Sequence, residues 1–89
     1  MSYLHTIYTE NIDEQHAAYI LQQEDIHSFT MLTGAGFYHG GKENALVIHI
    51  VSPVESDPDV LRAATQIRRD FRQKCVMVTS QKLQQVTFT

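Results

Sequence analysis

Between Ala45 and Val51 the chain reads Ala-Leu-Val-Ile-His-Ile-Val, and this run constrains the fold more than any other. Successive strand side chains point to opposite sides of a sheet, so Ala45, Val47, His49 and Val51 share one face and Leu46, Ile48 and Ile50 the other. Both faces are therefore mostly apolar. An antiparallel strand wetted on one side carries apolar residues on one face only. A strand greasy on both faces must be central in a two-sided core or covered by a second chain. Just upstream lies a glycine-rich stretch, Thr33–Lys42, that reads as a strand running into a hairpin turn.

The remaining segments arrange themselves around that hairpin. Tyr3–Thr9, rich in aromatic and β-branched residues, predicts a first strand. Asn11 is the expected N-cap of a helix over about residues 12–24, with Asp13 and Glu14 near its positive end and Ala17, Ile20 and Leu21 at helical spacing. Phe29–Tyr38 predicts the second strand; Gly34 and Gly36 fall on one face of it, where they leave a flat area or mark a bulge. His39-Gly40-Gly41-Lys42 is the turn, its paired glycines supplying positive φ, and the third strand follows over about residues 43–51.

Asp57 as N-cap with Pro58 at the first helical position opens the second helix, whose apolar stripe is Val60, Leu61, Ala64, Ile67 and Phe71, reaching about residue 73. Cys75–Thr79 predicts the fourth strand, Ser80–Leu83 a turn, and Gln85–Phe88 a short fifth strand. The order β-α-β-β-α-β over residues 1–89 is that of a single ferredoxin-like α+β sandwich: an antiparallel sheet with two helices on one face, here with a short C-terminal extra strand. Such a domain leaves its other sheet face bare. Since either face of the third strand is apolar, the bare face is expected to pack against further copies, giving a homo-oligomer, a dimer or trimer.

Composition narrows the function. A net charge of −3 offers no overall attraction to nucleic acid or to an anionic membrane surface. The single cysteine, Cys75, permits no intrachain disulfide and no multi-cysteine zinc site, which suits a reducing cytoplasm, and its place at the head of an apolar strand reads as a packed thiol. No secretory leader or membrane-length apolar run is visible. The five histidines show no i, i+4 pair and no zinc spacing, although His5 and His49 are expected to share a sheet face if the first and third strands are neighbours.

The glycine-bearing second strand, TGAGFYHGG, followed by an apolar third strand resembles the PII signalling and divalent-cation tolerance superfamily. The resemblance implies a ferredoxin-like fold, trimers with sheets facing inward, and a ligand at the glycine-rich strand end between subunits. Where PII proteins carry a long partner-recognition loop, this chain has only His39–Lys42.

The candidate ligand site consists of Gly36, Tyr38, His39, Gly41 and Lys42, where exposed backbone N–H groups beside an ammonium suit an anion. Arg69 and Arg72, on the helix side away from the Val60 stripe, form a second anion-binding candidate. No carboxylate pair, nucleophile turn or metal cluster stands out, so no catalytic residue, metal or cofactor is assigned. The chain reads as a non-enzymatic regulatory or ligand-binding protein whose partner is an anionic small molecule or another protein. Two other classes fit the same residues. One is a phage- or mobile-element-encoded inhibitor of a host or defence protein. The other is a small dimeric ferredoxin-like enzyme using His5 or His49 in a pocket.

Overall fold

A computed structural model describes residues 1–89. The elements are β1 (Ser2–Glu10), α1 (Glu14–Gln23), β2 (Thr30–Tyr38), β3 (Gly41–Ser52), α2 (Pro58–Asp70) and β4 (Met77–Leu83). All four strands form one antiparallel sheet in the order β2-β3-β1-β4, the ferredoxin-like arrangement. One core cluster joins Ala17, Ile20 and Leu21 of α1 with Val60, Ala63, Ala64 and Ile67 of α2 over Ile7, Leu46, Ile48 and Ile50 of the sheet. Both helices thus cover a single face.

The local starts and stops follow from chain chemistry, with several differences from expectation. Asp13, not Asn11, caps α1: its Oδ1 accepts from the His16 N–H at 3.0 Å, while Asn11 donates its side-chain amide to Glu14 Oε1 at 3.0 Å. The β1–β3 ladder holds the chain through Glu10, and the Asn11 N–H still bonds the Asn44 carbonyl at 2.8 Å, so the helix starts later. Asp57 caps α2 as anticipated, with Pro58 in the first turn. Ala63 takes the buried place expected for Leu61, which is exposed.

The helix ends at Asp70 rather than about residue 73, because Phe71 closes it and Arg72 adopts the left-handed region at φ 55. At the hairpin, Tyr38 pairs with Gly41, leaving His39 (φ 50) and Gly40 (φ 79) as a two-residue turn with both central residues at positive φ. The positive φ therefore falls on His39 and Gly40, and Gly41 belongs to β3. The β2–β3 register runs unbroken past Gly34 and Gly36, so the glycines make a flat area and not a bulge.

The expected fifth strand does not form. Residues Ser80–Leu83, read as a turn, continue β4 because β1 begins at Ser2 and pairs with them as far as Leu83. The β1–β4 ladder ends at Ser2 and Leu83, and Gln85–Phe88 leaves the sheet, with Phe88 90% exposed. No helix is long and apolar enough to cross a membrane.

Candidate functional site

The face of the sheet away from the helices carries Leu4, Thr6 and Tyr8 from β1, Ala45, Val47, His49 and Val51 from β3, Leu32, Gly34, Gly36 and Tyr38 from β2, and Met77 from β4. Neither helix covers it. Leu32 is 49% exposed, Val51 50% and Met77 52%. Gly34 sits on this face with no atom within 4 Å of where a Cβ would be, so neither steric room nor backbone φ within the subunit calls for glycine there. A glycine inside a strand commonly marks close approach of another backbone.

At one end of this face the elements enclose a groove. Because Glu10, the last residue of β1, pairs with Ala45, the hairpin projects past the strand by Gly41–Asn44. On the other side of β1, the connection from α2 to β4 returns alongside. The groove between them measures about 440 Å³. Tyr38, His39 and Glu43 line it from the hairpin; Arg72, Gln73, Lys74 and Cys75 line it from the connection; Tyr8, Glu10 and Met77 complete it. Gln73 donates to Glu10 Oε1 at 3.2 Å, whereas Arg72 and Lys74 make no ion pair and leave their charges available. Thr9, also in the lining, has a buried Oγ1 with no hydrogen-bond partner.

The structure separates residues that the sequence groups. Tyr38, His39 and Arg72 meet in the groove, and Gly36 supports it: a Cβ there would come within 3.0 Å of the Tyr38 ring, so glycine lets the ring lie back along the strand. Gly41 pairs with Tyr38 at the hairpin tip. Lys42 pairs with Phe37 and so projects from the helix-side face of the hairpin, opposite the groove.

Arg69 and Arg72 do not form one site. Arg69 lies in a shallow hollow with Glu24, Arg62 and Gln66, and the left-handed turn at Arg72 carries that residue round to the groove. Arg62 is committed to Glu24 at 3.0 Å and to Asp59, and Glu24 strengthens its hold on the proton. Cys75, expected to be packed, is exposed at the groove because β4 begins two residues later. Neither Lys74 nor Glu43 was assigned to the ligand site from sequence.

His5 and His49 lie on opposite faces. Thr6 pairs with His49 and His5 with Ile50, and a register step of one residue reverses the side-chain direction. His49 thus belongs to the uncovered face. His5 is buried, with Nδ1 2.7 Å from Ser80 Oγ and Nε2 2.9 Å from the Val54 carbonyl oxygen and 3.0 Å from Ser52 Oγ. His16 bonds Asp70 at 2.7 Å across the two helices; this bond, and after it the one from Gln66, holds the Asp70 carboxyl below the usual carboxylate range.

No protein-family model matches the chain, and no curated protein matches it significantly. Solved structures do. A DUF3240-family protein from Shewanella baltica is similar with a TM-score of 0.79 at 15% identity, covering 99% of this chain and 96% of that one. CPII, a nitrogen regulatory PII-like protein from Thiomonas intermedia solved with ADP, AMP and bicarbonate bound, gives 0.69 at 15% identity over 99% and 96%. A phage SAM lyase in complex with S-methyl-5′-thioadenosine gives 0.62 at 19% identity over 91% and 81%. The chain therefore has the ferredoxin-like fold of the PII-like signalling proteins.

Proposed function

We propose that this chain is a regulatory or ligand-binding protein that works as a homo-oligomer and takes an anionic small molecule of the nucleotide class at the subunit boundary. The observation that carries the reading is that the groove between the β2–β3 hairpin and the α2–β4 connection opens beside the uncovered apolar sheet face. A second copy seated on that face would shelter Leu32, Val47 and Val51 and complete the open wall of the groove. Arg72 and Lys74 would meet the anionic group, with Tyr38 available to stack on a flat ring, His39 at the hairpin tip and Gly36 and Gly41 keeping the hairpin backbone clear.

The similarity to CPII supports this choice of ligand, since that protein was solved with ADP, AMP and bicarbonate. Calorimetric titration with ADP, together with native mass spectrometry of the unliganded protein, tests it. Saturable binding by an assembly of defined subunit number is the expected result. A single-copy protein that binds neither ADP, AMP nor bicarbonate at about 1 mM, near the weakest useful affinity, overturns it.

A further inference from the structure

At the opposite end of β1, on the helix-covered side of the sheet, Ser80 and His5 pair across neighbouring strands. His5 is 1% exposed, and its surroundings define its tautomer. The Val54 carbonyl can only accept, so Nε2 carries the hydrogen donated to it at 2.9 Å. Nδ1 is left with its lone pair, 2.7 Å from Ser80 Oγ, and the serine hydroxyl donates to it. Ser80 itself is exposed and opens on a pocket of about 230 Å³. A hydroxyl at the surface, a base behind it and a carbonyl orienting the base is the relation that activated serines require.

The rest of the pocket fits that chemistry. The first turn of α2 lines it, its Asp59 N–H bonded to the Asp57 side chain and its Leu61 N–H to the Asp57 carbonyl. Val60, Leu61 and Val78 make an apolar wall, while Glu55 and Asp57 are the charged groups in the lining and disfavour an anionic substrate.

We propose that Ser80 and His5 form a nucleophile–base pair for acyl transfer from small neutral or cationic esters, independent of the groove described above. Ser80 Oγ bonds to the acyl carbon as its proton passes to His5 Nδ1. The bond from that carbon to the ester oxygen breaks, and the departing alcohol takes the proton from Nδ1. Water then attacks the acyl carbon, giving a proton to Nδ1; the Oγ–carbon bond breaks, Oγ recovers the proton and the carboxylic acid leaves. Val54 is a positioning residue, holding the imidazole through its carbonyl.

The test is incubation of the intact protein with p-nitrophenyl acetate, followed by peptide mass mapping of acetyl adducts. Acetylation should map to Ser80, vanish in Ser80→Ala and slow by about 10²-fold or more in His5→Gln. Adducts confined to lysines and the N-terminus would overturn the proposal. So would Ser80 acetylation no faster in folded protein than in urea-unfolded protein, a comparison that needs no variant to fold.

Discussion

Replacing Leu32 by lysine separates an assembled protein from a solitary one. Leu32 lies on the uncovered sheet face opposite Val47 and is 49% exposed in the single chain. For an isolated subunit the change is close to a surface substitution, altering stability by about 0.5–1 kcal/mol. In an oligomer built on this face two losses add for every subunit. The exposed half of the leucine forfeits about 1 kcal/mol, half of the roughly 1.5–3 kcal/mol that full burial provides. An unpaired ammonium forced into a dry interface costs about 3 kcal/mol more. Together, about 4 kcal/mol weakens association about 10³-fold per subunit. Sedimentation equilibrium over a concentration series should show the wild type assembled and Leu32→Lys as single folded copies, with circular dichroism unchanged. A wild-type protein that stays single at high concentration, or a Leu32→Lys variant with the wild-type subunit number, refutes the reasoning.

Other outcomes follow from the same structure. Alanine at Arg72 or at Lys74 should each weaken ADP binding about tenfold in calorimetry, the value of one lost charge-assisted hydrogen bond, while Arg69→Ala, in a different hollow, leaves it unchanged. Asp13→Ala should destabilise the protein to urea by about 1 kcal/mol and Asn11→Ala by much less, since only Asp13 caps α1. Because Asp70 has a lowered pKa in the folded state, the stability it confers is present above the unfolded carboxylate value near 4 and is lost as pH falls through the folded value. Asp70→Asn should therefore be less stable than wild type at neutral pH, and thermal melts of the two should converge in acid.

The ferredoxin-like order was legible because its signals are local. Period-two alternation in Ala45–Val51, helical spacing in the Val60 stripe and the Asp57-Pro58 start each act within a few residues. Ser80–Leu83 was misread for the opposite reason: a polar stretch becomes strand when a distant one, Ser2–His5, offers it a ladder. That same pairing creates the contact between Ser80 and His5, so a serine assigned to a turn carried no sign of its histidine partner 75 residues away.

The candidate ligand site shows the same division. Tyr38, His39 and the bracketing glycines were visible as hairpin chemistry, while the separation of Arg72 from Arg69 rests on one left-handed residue after the helix end. The opposition of Lys42 to the groove rests on which face the register presents. By itself, then, the sequence determined the elements, their order and the two apolar sides of β3, because hydrophobic period, caps and turn residues act at short range. Tertiary structure alone decided which apolar side the helices cover, which histidine is buried and which cations meet, because strand register and chain reversal join residues that no local pattern links.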